Sequence, residues 1–311
     1  MSKKLISVVV PVYNEQENLP DAYSRITNVM KGLTEYDYEI VFFDDGSTDS
    51  SRSLIEEYCS TDEHVKAVLY SRNFGYSKTI FYSAQQAKGD CAIMVHADLQ
   101  NPPELIPEFV AEWEKGAQIV QGVKKKSKES PFLFFFRTIY YWMMIVVFGV
   151  KLTTHATEFQ LFDASFIGVL RSIRDSHPFL RGIILEYGQK ISYISFVQDR
   201  RNKGKSKFSI GKYYDFAING IVSSSDRLPR RIIVVTVVLI AALIIEAILF
   251  FIFFARGMAA DRIVLAIIIH FIAIAALVGQ IFISFLLEYI IGVSKNVVDK
   301  PLVVEEGRIN Y

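Results

Sequence analysis

Cysteine is nearly absent: only Cys59 and Cys91 occur among the 311 residues, far apart and in segments of apolar periodicity. That argues against a disulfide framework and fits a reducing compartment. The 5 histidines show no zinc spacing. Neither GxxxxGK(S/T) nor GxGxxG occurs, so a P-loop NTPase and a dinucleotide dehydrogenase are both unsupported. Net charge is close to nil at +1, which argues against a general nucleic-acid binder. Met1–Leu5 leads into a short strand-like run and Pro11, with nothing of a signal peptide, so the N-terminal domain is expected to stay in the cytosol. No internal repeat and no low-complexity tract is present.

Charge is also missing from two long C-terminal stretches. Ile232–Ala255 is interrupted only by Glu246, and Ile263–Leu287 contains no Asp, Glu, Lys or Arg. At ~1.5 Å per residue each would form a helix of roughly 36 Å, against a hydrocarbon core of about 30 Å. The link Arg256–Arg262 has room only for a hairpin. Arg227, Arg230 and Arg231 precede the first stretch, while Lys295 and Lys300 follow the second, so both flanks are expected on the cytoplasmic side. Arg256 and Arg262 in the link weaken that contrast. The expectation is a two-helix transmembrane hairpin over 232–291 and a cytoplasmic tail over 292–311. A domain tethered in this way is expected to find its substrate in the membrane.

What precedes the hairpin reads as one α/β domain over 1–210. Short β-rich runs, Leu5–Val10, Tyr38–Phe43, Val65–Tyr70, Cys91–His96 and Ile119–Val123, alternate with helical patterns. Leu19, Ala22, Ile26, Val29 and Leu33 recur at helical spacing, as do Leu105, Phe109 and Trp113. Continuous apolar strands separated by helices predict a mostly parallel, Rossmann-like sheet with helices on both faces. Ligands of such sheets bind outside the C-terminal strand ends.

Residues 124–150 change character. Lys124, Lys125, Lys126 and Lys128 are followed by Pro131 and an aromatic-rich stretch that Arg137 interrupts. The uninterrupted apolar part is short for a span. An interfacial helix over 131–150, with Tyr140, Tyr141 and Trp142 at headgroup level and the lysines against an anionic leaflet, is favoured over a third transmembrane helix. A second such helix is expected over 211–231.

Three polar clusters fall at predicted strand ends: Pro11-Val12-Tyr13-Asn14-Glu15, Asp44-Asp45-Gly46-Ser47-Thr48-Asp49, and His96-Ala97-Asp98-Leu99-Gln100-Asn101-Pro102-Pro103-Glu104. Each alone reads as a turn or a helix cap, with Asn14 as one candidate cap. Together they are hard to explain as caps. Converging strand-end carboxylates can hold a divalent cation, and the group they most plausibly receive is a metal diphosphate.

With SRNFG at 71–75 and GKSK at 204–207, these motifs resemble the family-2 inverting glycosyltransferases of GT-A fold. The end from Glu288-Tyr289-Ile290 to Pro301, behind two spans, narrows the resemblance to the polyprenyl-phosphate glycosyltransferases, relatives of dolichol-phosphate mannose synthase. It covers essentially the whole chain in order. It implies transfer of one sugar, glucose or another hexose or N-acetylhexosamine from a UDP-sugar, onto undecaprenyl phosphate at the inner (cytoplasmic) membrane. The catalytic domain would face the cytoplasm, and a homo-oligomer is possible.

Residue by residue, the resemblance implies a nucleoside loop from Pro11, Tyr13 and Glu15, and base and ribose contacts from Phe43 and Asp45. His96, Ala97 and Asp98 would meet the donor, and Asp98, Gln100 and His96 would hold Mn²⁺ or Mg²⁺. Lys124, Arg201 and Lys207 would bind the donor diphosphate. Glu158 is the implied acid-base or orienting residue, with Asp98 beside it, and Arg137 the acceptor-phosphate contact. Two positions depart from the family pattern. His96 stands where relatives carry a carboxylate; it either ligates the metal or is a strand-end residue beside Asp98 and Gln100. Glu158-Phe159-Gln160-Leu161 stands for Asp-Phe-Arg-Leu, so Gln160 removes a cation that Arg137 is expected to replace. A polysaccharide synthase is disfavoured, since Gln-x-x-Arg-Trp is absent and two helices cannot enclose a polymer channel. A GDP-mannose donor, a different acceptor, and an impaired scaffold subunit remain as alternatives.

Overall fold

The computed structural model describes residues 3–125, 153, 156–176, 178–197, isolated positions between 241 and 252, 260–297 and 301–311. The segments 131–150 and 211–231, with Arg137, Arg201 and Lys207, lie outside the described residues, as does most of the first apolar stretch.

Eight strands form one sheet: β1 (Leu5–Val12), β2 (Asp37–Asp44), β3 (Val65–Tyr70), β4 (Cys91–Met94), β5 (Ile119–Lys124), β6 (Ala156–Asp163), β7 (Ile191–Phe196) and β8 (Glu305–Ile309). Their order is β7-β5-β6-β4-β1-β2-β3-β8. Both faces are covered. Helices α1 (Leu19–Gly32), α2 (Ser51–Thr61) and α4 (Ile106–Glu114) pack on one side, where Ile6, Val8 and Val10 of β1 meet Ile26, Ile55 and Phe109. On the other side α3 (Tyr76–Gln86), α5 (Ala164–Ser172) and α6 (Leu180–Tyr187) close over Val9, Val41 and Val68. Both faces of β1 therefore need apolar residues, and the run LISVVVPV supplies them. The two thiols, Cys59 and Cys91, are buried and free.

The sheet is more mixed than expected. Pairs β1–β2, β1–β4, β2–β3 and β5–β7 are parallel, whereas β4–β6, β5–β6 and β3–β8 are antiparallel. Val123 near the end of β5 lies opposite Ala156 at the start of β6. The chain thus leaves and re-enters the sheet at one end, and the returning strand must run backwards.

The expected tail supplies the edge strand β8. Arg52 pairs with Glu306 at 2.8 Å, and the Tyr82 hydroxyl donates to Glu305 at 2.6 Å. The Asn310 amide donates to the carbonyls of Cys59 and Val65. Ahead of it, α7 (Ala260–Val297) leaves Leu265, Ile272, Leu277, Ile281 and Ile283 more than half exposed. Among the described residues no helix is long and apolar enough to cross a membrane.

Candidate active site

The sheet brings the three strand-end clusters to one end. β1, β2 and β4 run parallel, so the loops after Val12, Asp44 and Met94 emerge together. β6 runs against β4 with Met94 opposite Gln160, which puts Glu158 at the same end, near Lys124 at the close of β5. Asp163, the nearest acid further along β6, lies opposite Cys91 at the far end. There it caps α5 through Ser165 and accepts from the Trp113 indole at 2.8 Å.

The loops after β1 and β2 are one hydrogen-bonded unit. Asn14 adopts φ +53, a left-handed conformation that asparagine tolerates. Its side-chain oxygen accepts from the Thr48 amide at 2.7 Å and the Asp49 amide at 3.3 Å. Ser47 and Ser51 hydroxyls in return accept from the amides of Asn14 and Glu15 at 2.9 and 2.8 Å. Asn14 is therefore a cross-link between loops, and Asn18 holds the cap position of α1. Pro11, Tyr13 and Glu15 stay half-buried on this unit.

Asp45 ties the unit to SRNFG: its carboxylate accepts from the amides of Phe74 at 2.7 Å and Gly75 at 3.1 Å. Gly46 has φ +66, and a Cβ there would fall 2.4 Å from the Arg72 carbonyl carbon, so only glycine allows this approach. Asp44 is fully buried; one oxygen accepts from the Ser47 amide, and the other has no partner among the described residues. Burial pushes the Asp44 and Asp45 carboxyls up, against the opposing hydrogen bonds from Ser47, Phe74 and Gly75.

Of the residues the resemblance places against the donor, Phe43 has its side chain fully buried in the face formed by Val9, Val41 and Val68. Ala97 is also buried.

Around Glu158 the partners are charged. The Arg181 Nε and Nη2 groups donate to its Oε1 at 2.7 and 2.6 Å, with both side chains mostly buried at 23% and 16% exposure. Burial alone would raise the Glu158 carboxyl; Arg181 and His96 outweigh it and hold the group below the usual glutamate value. The Tyr76 hydroxyl lies 3.4 Å from His96 Nε2. Burial first, then the Glu158 charge, pushes the Tyr76 phenol well up, so it keeps its proton. Gln160 is fully buried and donates to the carbonyl of Thr157 on its own strand at 2.7 Å.

Sequence reasoning missed Tyr76 and Arg181. Tyr76 directly follows SRNFG, and Arg181 is a lone cation in Phe179-Leu180-Arg181-Gly182-Ile183-Ile184. An isolated charge in a short apolar helix was the available signal.

Among the described residues no group of three or more His, Cys, Asp or Glu side chains is arranged to hold a metal. Asp98, whose Oδ1 accepts from the Gln100 amide at 3.2 Å, offers one carboxylate, with His96 and Gln100 flanking it. Leu99 between them takes φ +56, which makes the turn tight. That donor set is too small for a closed cage. It fits a hard cation whose remaining ligands come from substrate phosphates.

The sequence profile of glycosyl transferase family 2 matches residues 7–174. The chain belongs to this family. It is 31% identical over 230 residues to a prophage bactoprenol glucosyl transferase homolog of Escherichia coli, covering 73% of this chain and 74% of that protein. An undecaprenyl-phosphate 4-deoxy-4-formamido-L-arabinose transferase of Pseudomonas fluorescens is 34% identical over 205 residues, 66% of this chain and 60% of that one. Glucosyl-3-phosphoglycerate synthase from Mycobacterium tuberculosis, solved with uridine diphosphate, superposes with a TM-score of 0.50 at 17% identity, covering 73% of this chain and 80% of that one. That likeness concerns the fold, which is GT-A-like. Family membership makes the protein a glycosyltransferase and gives the strand-end cluster a chemical purpose.

Proposed function

We propose that this glycosyltransferase moves one sugar from a UDP-sugar onto polyprenyl phosphate, with inversion, at the cytoplasmic face of a membrane. The observation that carries the reading is Glu158 held as an anion by Arg181 at the sheet end that also presents Asp98. The bond between the anomeric carbon and the nucleotide diphosphate breaks as an oxygen of the lipid phosphate bonds that carbon, and the nucleotide leaves as the diphosphate. A phosphate acceptor is already anionic at neutral pH, so Glu158 orients as much as it abstracts. Asp98, Gln100 and His96 would hold a divalent cation, which when bound offsets charge on the leaving diphosphate. The joined loops from Pro11 to Glu15 and Asp44 to Asp49 would receive the nucleoside, Lys124, Arg201 and Lys207 the diphosphate, and Arg137 the lipid phosphate.

The acceptor reading draws on the relatives named for bactoprenol and undecaprenyl phosphate. The membrane hairpin draws on the uncharged run Ile263–Leu287 and on α7, apolar and exposed in a way that calls for an apolar surrounding. Strand β8 adds an argument for parity. Chain beyond the apolar region returns to the sheet in which it began, which favours an even number of crossings. Mass spectrometry of the full-length protein with undecaprenyl phosphate and a panel of nucleotide sugars tests the function. A glycosylated lipid phosphate is expected, and its absence with every donor would overturn the reading.

A further inference from the structure

We propose that Arg181 is a positioning residue for sugar transfer: from α6 it fixes Glu158 as an oriented anion. This rests on the reading of Glu158 given above. Both guanidinium bonds, at 2.7 and 2.6 Å, go to one oxygen, Oε1, so Arg181 anchors that oxygen from α6 with two charge-assisted bonds. The Glu158 charge acts on Tyr76 of α3, whose hydroxyl lies 3.4 Å from His96 Nε2. The pair therefore belongs to a network reaching the Asp98 loop.

A merely structural role would be to staple α6 to the sheet, but α6 is already held by Leu180, Ile183 and Ile184 in the core. Apolar contacts do that task without desolvating two charges, and buried ion pairs are weak devices for stability. The location also speaks for function. The pair sits at the strand end, whereas Asp163 on the same strand, at the other end, accepts its hydrogen bonds among the described residues from the neutral Trp113 and Ser165.

The test compares Arg181→Ala, Arg181→Lys, Glu158→Gln and the double variant Glu158→Gln/Arg181→Ala in the full-length enzyme with undecaprenyl phosphate and UDP-glucose. Arg181→Ala should lower kcat by about 10²-fold while the donor KM stays within about twofold. Arg181→Lys keeps the charge and the fold but loses the fork, and should recover about tenfold of that loss. The double variant should be no slower than Glu158→Gln alone, because Arg181 acts through Glu158. Wild-type kcat in Arg181→Ala, a loss confined to donor KM, or a double variant much slower than Glu158→Gln would each overturn the proposal. Wild-type kcat in Glu158→Gln would instead overturn the role of Glu158, so the two failures are distinguishable.

Discussion

Two groups of carboxylates meet at one end of this sheet, and they are held by opposite means. Asp44 and Asp45 receive hydrogen bonds from uncharged amides of Ser47, Phe74 and Gly75, and burial leaves their carboxyls raised. Glu158 is buried as well, but Arg181 holds it low. Neutral donors give shape to the loops, while a cation keeps a charge in place. The first arrangement suits a rigid rim for a nucleoside, the second a group that must stay ionised beside a reaction. Glu158→Gln breaks the second arrangement and should show the largest effect. It should lower turnover by on the order of 10²-fold or more, with nucleotide-sugar affinity nearly intact in a calorimetric titration. Unimpaired turnover would remove Glu158 from the chemistry.

The rim should fail differently. Gly46→Ala places a Cβ against the Arg72 backbone at a positive φ, costing about 1–3 kcal/mol in strain and forcing the loop away from SRNFG. Donor affinity should fall along with thermal stability, whereas kcat at saturating donor should change little. Asn14→Ala is milder. It leaves the amides of Thr48 and Asp49 to solvent and should cost about 1 kcal/mol, read as a lower melting temperature and a raised donor KM. If either variant lowered kcat as Glu158→Gln does, the division between rim and reacting group would collapse.

Much of this was legible before any coordinates. The strand runs at 5–10, 38–43, 65–70 and 119–123 lie on observed strands, and the run at 91–96 overruns β4 by two residues, because fully buried parallel strands write themselves as continuous apolar runs. Such runs conceal which face each residue takes. Phe43, which the resemblance implies as a base contact, has its side chain in the core. Strand β8 was invisible because Glu305-Glu306-Gly307-Arg308-Ile309 is an edge strand whose side chains find ion pairs rather than a core. Arg181 was hidden by distance. It lies 23 residues from Glu158, and only the fold, which brings the start of α6 to the strand end, joins them. Local pattern carries strand and loop identity, but it carries no information on which distant charge will neutralise a buried one.

The smallest effect should come from pH, and it has opposite signs in the two regions. Glu158 has a folded pKa below its ordinary value of 4.5, so its pairing stabilises the fold above that value and is lost as pH falls through the lower, folded one. Glu158→Gln should therefore be less stable than wild type near neutrality, with the difference narrowing in acid. Asp44 has a folded pKa above its ordinary value of 3.8. Its contribution is complete below that value and is lost as pH rises through the raised one, where a charge must form in a site with one oxygen lacking a partner among the described residues. Asp44→Asn carries no such charge and keeps an acceptor for the Ser47 amide. It should gain on wild type as pH rises from about 4 to about 7. Melting temperatures of the detergent-solubilised variants across that range would show one difference opening and the other reversing its trend. Curves that stay parallel to wild type in both variants would mean that neither carboxyl departs from its ordinary value, and the contrast between neutral and cationic support would lose its electrostatic basis.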